Sequence, residues 1–139
     1  MENNHYIKKI SHYVMNNTPV NFIFHKNKYY EFNDRLVQEH IINEHSELLC
    51  ASYSLFYTTL SFHKRAETDS KYQPYDILLG DYISSYVAEL LYKNQLIDIL
   101  KVFTLSSKKI MLNILNNNDD DSLLDDIIKA LKSRWIIWI

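Results

Sequence analysis

The chain of 139 residues contains a single glycine, Gly80, which lies inside a segment whose apolar residues recur with helical spacing. A glycine within a helix costs about 1 kcal/mol relative to alanine. With one glycine and two prolines, the chain also lacks the turn residues that a β-sheet protein of this length requires. We therefore predict an all-α fold, a single-domain helical bundle over residues 1–139, in which Gly80 serves packing.

Charge and cysteine content restrict the classes of partner and compartment. The 15 Lys and Arg against 17 Asp and Glu give a formal net charge of −2, without a basic stripe, so nucleic acid is not an expected partner. Cys50 is the only cysteine, and the first residues lack the apolar core of a secretion signal, so a cytoplasmic location is expected. No apolar run approaches the roughly 20 residues of a membrane-spanning helix.

Apolar residues at three- and four-residue spacing predict a series of helices. The first predicted helix ends before Pro19. Residues 20–32 alternate as a strand would, but no other segment offers a strand to pair with them, so we predict an extended or irregular connection. The other predicted helices are a long one from Asn33 to His63 with a break near Ser46, and three more over 75–93, 95–115 and 122–137.

Gly80 belongs to a stripe of small residues on the predicted helix 75–93. At 100° per residue, the stripe consists of Gly80, Ser84 and Ala88, bordered by Ile77, Val87 and Leu91. A second apolar face beside it consists of Leu79, Ile83, Tyr86 and Leu90. Small residues let another helix approach closely, and the dispersion gained there can offset the cost of the glycine. So wide an apolar arc predicts packing on two sides, either as the central helix of the bundle or at a subunit interface.

The segment "ILLGDYISS", residues 77–85, resembles the Leu-Leu-Gly-Asp-Tyr-Leu segment of trans-polyprenyl diphosphate synthases, all-helical enzymes that extend allylic diphosphates with isopentenyl diphosphate. Upstream, "LFYTTLSFHKRAE" ends its predicted helix at His63, where catalytic members of that family end one in His-Asp-Asp. Lys64 and Arg65 stand in place of the two magnesium-binding aspartates. The family's arginine pair and second aspartate-rich motif are also missing. The resemblance, over about residues 36–115, implies a truncated isoprenoid synthase fold without the catalytic residues.

Such a chain is similar to the small, non-catalytic subunit of a two-component synthase that makes hexaprenyl or heptaprenyl diphosphate for menaquinone side chains. The resemblance implies an essential subunit of a prenyltransferase that controls product length and carries no cofactor, with magnesium expected on the large catalytic partner. It also implies that the Gly80 helix lies at the heterodimer interface and lines a product tunnel shared with the partner. The candidate interface or tunnel residues are Leu79, Gly80, Ile83, Ser84, Val87, Ala88 and Leu91. Lys64 and Arg65 are candidates for capping a helix C-terminus or for polar contact with the partner or a diphosphate.

Two groups of residues contain the residue types of a metal site. The run "NNNDDDSLLDD", residues 116–126, matches a spaced aspartate motif but follows the Gly-Asp helix, whereas the family's motif precedes it. A capping box formed by Ser122 and Asp125 at a helix start explains this run better. In "HIINEH", residues 40–45, the histidines and glutamate lack the spacing of zinc proteases. We therefore expect no metal site on this chain.

Two other functions stay open at this stage. The chain could be an unrelated all-helical interaction adaptor that binds another protein through a C-terminal face with Trp135 and Trp138. It could also be a small metal-dependent enzyme that uses the aspartates of residues 119–126. Ser54, Thr58 and Cys50 show no local nucleophile–base arrangement, which leaves open a pair assembled in space.

Overall fold

The structure is all-helical. This computed structural model describes residues 4–41, 43–68, 71–115 and 122–137, and only the backbone of residues 108, 110–115 and 135–137. The helices are α1 (His5–Asn17), α2 (Lys26–Gln38), α3 (Ser46–Thr68), α4 (Gln73–Lys93), α5 (Ile97–Leu115) and α6 (Leu123–Ile137). No strand occurs in these ranges. The predicted all-α fold class is confirmed, and so is the break near Ser46. The truncated isoprenoid synthase fold stays a prediction.

Two predictions about helix ends are wrong. Residues 26–32, predicted as irregular, form the first half of α2, because Tyr29, Phe32 and Leu36 bury one helical face that the alternation just before it concealed. Helix α3 does not end at His63 but continues to Thr68, with Ala66 buried in the added turn. Residues 20–25 keep the predicted irregular conformation.

The chain divides into two compact units, Met1–Leu90 and Leu91–Ile139, with the boundary inside α4. The single domain over residues 1–139 stays a prediction. In the first unit α3 packs against α1 and α2, and α3 is buried around most of its circumference. The central helix of this unit is therefore α3, whereas the sequence pattern had offered α4 for that position.

Hydroxyl groups on α3 explain why residues 21–25 need no strand partner. Thr58 Oγ1 donates to the Ile23 carbonyl oxygen at 2.7 Å, and Ser54 Oγ donates to the His25 carbonyl oxygen at 3.2 Å. Because these side chains lie one turn apart on one face of α3, they bind two carbonyls of the irregular segment that are two residues apart. Two of the backbone acceptors that a sheet would have paired are thus satisfied by side chains.

Asn4 joins three helices at the start of the first unit. Its Oδ1 accepts the backbone N–H groups of Tyr6 and Ile7, which caps α1. Its Nδ2 donates to the hydroxyl of Tyr29 in α2 at 2.9 Å and to the carbonyl of Glu47 in α3 at 3.1 Å. Asn4 is itself buried, and its bonds to Ile7 and Tyr29 are buried with it, whereas those to Tyr6 and Glu47 are part-buried.

The second unit pairs α5 with α6. Its buried apolar residues are Leu91, Leu96, Ile99, Phe103, Leu123, Leu124, Ile127, Ile128 and Leu131. Gln95, with φ 60°, makes the left-handed turn before α5, and the Leu96 N–H donates to the Leu91 carbonyl at 2.8 Å. Arg134 of α6 donates to the Asp98 carboxylate at 2.6 Å and to the Gln95 carbonyl at 3.3 Å. None of the described helices is long and apolar enough to cross a membrane.

Candidate functional site on helix α4

A charged pair fixes the start of α4 against the last turn of α3. Arg65 donates from Nε to Asp76 Oδ2 at 2.9 Å and from Nη2 to Asp76 Oδ1 at 2.7 Å. Asp76 is only 1% exposed and lies in the first turn of α4, whose positive dipole end also favours a carboxylate. Arg65 therefore has an intrachain partner, and Lys64 is the more exposed of the two candidate cations.

Gly80 faces α3 of its own chain. A Cβ built on Gly80 would lie less than 3.0 Å from Cδ2 and Nε2 of His63, closer than real Cβ atoms approach. The same Nε2 lies 3.1 Å from Oδ1 of Asp81, the residue after the glycine. The close approach that the sequence pattern predicted at Gly80 is thus made by an imidazole ring within the chain.

The candidate interface residues fall into two groups by burial. Leu79, Gly80, Ile83, Val87 and Leu91 form one buried stripe along α4. Ser84 is exposed and Ala88 is half-buried. The three small residues of the predicted stripe therefore differ in accessibility. Gly80 is covered by His63, whereas Ser84 and Ala88 stay accessible to another molecule.

Exposed apolar side chains lie on both sides of the buried stripe. On one side Ile77, 44% exposed, lies beside Ser84 and Ala88, and we call these three residues the small-residue flank. On the other side lies the tyrosine flank, made of Tyr75, Leu78 and Tyr82. Leu78 is 67% exposed. Helix α4 thus presents apolar surface to solvent in addition to the face that it buries.

The tyrosine flank continues onto α1. The rings of Tyr82 and Tyr13 stack with centroids 4.4 Å apart and planes 9° from parallel. One turn further along α4, the Tyr86 hydroxyl donates to the Tyr6 carbonyl at 3.2 Å, and burial raises the pKa of Tyr86 to about 12. These contacts attach α4 to α1. Sequence reasoning missed them because residues about 70 or more apart along the chain carry no joint local pattern.

The described residues contain no candidate metal centre. No group of three or more His, Cys, Asp or Glu side chains in that part of the chain could hold a metal ion. Of residues 116–126, residues 116–121 lie outside the described ranges. Asp125 and Asp126 lie in the first turn of α6, and the Asp126 N–H donates to the Ser122 carbonyl at 2.9 Å. The predicted helix start is confirmed, and the capping box of Ser122 and Asp125 stays a prediction.

The three candidate nucleophiles Cys50, Ser54 and Thr58 are either unreactive or already hydrogen-bonded. Cys50 is buried, and that burial raises the pKa of its thiol to about 12, so it stays protonated at neutral pH. Ser54 and Thr58 donate their hydroxyl protons to backbone carbonyls. The side chain of Trp135, and Trp138 as a whole, lie outside the described parts of the structure.

Comparison with known proteins yields no relatives. No protein family, no curated protein and no solved structure matches this chain.

Proposed function

We propose that this chain is the small, non-catalytic subunit of a heterodimeric trans-polyprenyl diphosphate synthase, most similar to component A of hexaprenyl diphosphate synthase. In this proposal a large subunit extends farnesyl diphosphate with isopentenyl diphosphate and binds magnesium through its own aspartates. The small subunit is required for activity and helps set the product length, hexaprenyl or heptaprenyl, for menaquinone side chains. Both subunits are cytoplasmic in this proposal.

The observation that carries the proposal is the exposed apolar surface of α4. This helix follows the segment that resembles the family's His-Asp-Asp helix, and it contains the Gly-Asp pair, Gly80 and Asp81. On it, Ile77, Ser84 and Ala88 form a shallow accessible flank beside the buried stripe. A flank of small and β-branched residues suits close packing against a helix of another subunit. The buried candidates Leu79, Ile83, Val87 and Leu91 would then support the flank from beneath.

The test is the incorporation of radiolabelled isopentenyl diphosphate, with farnesyl diphosphate and magnesium, in three reactions. They contain this chain alone, a candidate large subunit alone, and both together. We expect long-chain product only in the mixture, and its chain length identifies the synthase. If the large subunit alone makes the same product in the same yield, the proposal is wrong and an all-helical interaction adaptor is the better description.

Two neighbouring serines provide a matched pair of interface variants. Ser84 and Ser85 are both exposed on α4, but only Ser84 belongs to the small-residue flank, since Ser85 lies about 100° further round the helix. We expect Ser84→Arg to weaken binding to the large subunit at least tenfold through overpacking of the contact, and Ser85→Arg to leave it within about twofold. A binding titration measures both. Gly80→Leu should also weaken the complex, but it displaces His63 as well and is the less specific variant.

A further inference from the structure

A histidine and a serine that are far apart in sequence meet on the surface of the first unit. His25 ends the irregular segment before α2, and Ser61 lies on α3, 36 residues later. Their side chains are joined by a hydrogen bond of 2.7 Å between Nε2 of His25 and Oγ of Ser61. Both residues are half-buried, so a small molecule can reach them. This is the spatial nucleophile–base arrangement that local sequence motifs lacked.

The protonation state of His25 suits a base. Burial, reinforced by the positive charge of Lys28, lowers the pKa of His25 below its ordinary value of 6.5. The imidazole is therefore neutral at pH 7 and keeps a lone pair on one ring nitrogen. In the tautomer that carries its proton on Nδ1, Nε2 accepts the hydroxyl proton of Ser61.

The surroundings hold this pair in place. The carbonyl of His25 accepts the Ser54 hydroxyl at 3.2 Å and the Tyr29 N–H at 3.1 Å, which fixes the backbone that carries the imidazole. Tyr57 lies one turn before Ser61 on α3, and its ring centroid is 6.2 Å from that of His25. The Lys28 ammonium lies 4.4 Å from the same tyrosine ring centroid. The same ammonium is paired with the Glu31 carboxylate at 3.6 Å. An aromatic ring thus lies near the imidazole and one turn before the serine on α3.

We infer that Ser61 is an acyl-accepting nucleophile and His25 its general base, for small activated esters with an apolar or aromatic leaving group. The Ser61 oxygen bonds to the acyl carbon while its proton passes to Nε2 of His25. The bond to the leaving oxygen then breaks, and that oxygen takes the proton from the imidazole.

The reaction is independent of the proposed subunit role, and its test needs no partner. The full chain is incubated with p-nitrophenyl acetate, and the acetylated residues are mapped by peptide mass spectrometry. We expect acetylation of Ser61, with His25→Gln lowering its rate about 100-fold, as expected for loss of a general base. Ser11, a half-buried serine on α1, is the internal control and should stay unmodified. Absence of label on Ser61 overturns the inference, and so does an unchanged rate in a folded His25→Gln protein.

The pH dependence of Ser61 acetylation in the unaltered chain is a second readout, which does not depend on the folding of a variant. A base at His25 predicts a rate that rises as the imidazole loses its proton and then becomes constant at higher pH. A serine without such a base reacts in proportion to hydroxide, so its rate keeps rising. That second profile would contradict the assignment even where His25→Gln fails to fold.

Discussion

The imidazole of His63 occupies the space that a side chain on Gly80 would need. The glycine is therefore required by a contact between α3 and α4, and its low helix propensity is the cost of that contact. Nε2 of His63 also lies 3.1 Å from Oδ1 of Asp81, so the ring contacts both residues of the Gly-Asp pair. This relationship makes the effect of adding a methyl group at Gly80 depend on His63.

A double-mutant cycle measures this dependence. In a His63→Ala background, Gly80→Ala should stabilise the chain by about 1 kcal/mol, because alanine is the better helix former. In the unaltered chain Gly80→Ala should raise the free energy of unfolding by less than this, or should lower it, because the His63 ring must move away from Asp81. Urea denaturation gives the four free energies of unfolding. Ser84→Ala, an exposed change on the same helix, should behave identically in both backgrounds, and equal effects of Gly80→Ala would contradict the packing account.

Sequence reasoning predicted the helices well where one face recurs at regular spacing, as in α1, α4, α5 and α6. It missed the first half of α2 because the alternation in residues 20–24 extended the apparent strand pattern into the helix. It predicted a close contact at Gly80 but not its partner, because a glycine indicates proximity without identifying the neighbour. The link Arg65–Asp76 connects two helices, and the link His25–Ser61 connects an irregular segment with a helix, so neither produces a periodic pattern in the sequence. These contacts follow from how the helices pack.

The Arg65–Asp76 pair should respond unequally to loss of either partner. Arg65→Ala leaves a carboxylate that is 1% exposed without its cation, so we expect a loss of about 3 kcal/mol in the free energy of unfolding. Asp76→Ala leaves a guanidinium whose side chain is 32% exposed and can bind water, so about 1 kcal/mol is expected. Urea denaturation measures both. Similar losses for the two variants would show that burial of the Asp76 carboxylate does not determine how much each partner contributes to the free energy of unfolding.

Loss of a surface ion pair provides the control for those two variants. The Glu31 carboxylate lies 3.6 Å from the Lys28 ammonium, and the Glu31 side chain is 46% exposed. Glu31→Ala should change the free energy of unfolding by less than about 0.5 kcal/mol, because exposed pairs are screened by water and salt.

Adjacent threonines on α3 offer a test of the side-chain hydrogen bonds to residues 21–25. Both are buried, but Thr58 donates to the Ile23 carbonyl, whereas the Thr59 hydroxyl has no hydrogen-bond partner among the described residues. Thr58→Val should destabilise the chain by about 1 to 3 kcal/mol, because it leaves that carbonyl unpaired. Thr59→Val should be neutral or stabilise by about 1 kcal/mol, since it removes a buried polar group. Thermal unfolding compares the two, and the reverse order would refute the proposed anchoring.

The lowered pKa of His25 predicts a specific dependence of stability on pH. Because the folded chain disfavours the protonated imidazole, the unfolded chain binds more protons between the folded pKa and the ordinary value of 6.5. The contribution of His25 to stability is therefore fully present above pH 6.5 and decreases as the pH falls through the folded pKa. His25→Gln should flatten this part of the curve of unfolding free energy against pH. His12→Gln, at an exposed position on α1, should leave it unchanged, and an equal effect of both variants would exclude His25 as the source.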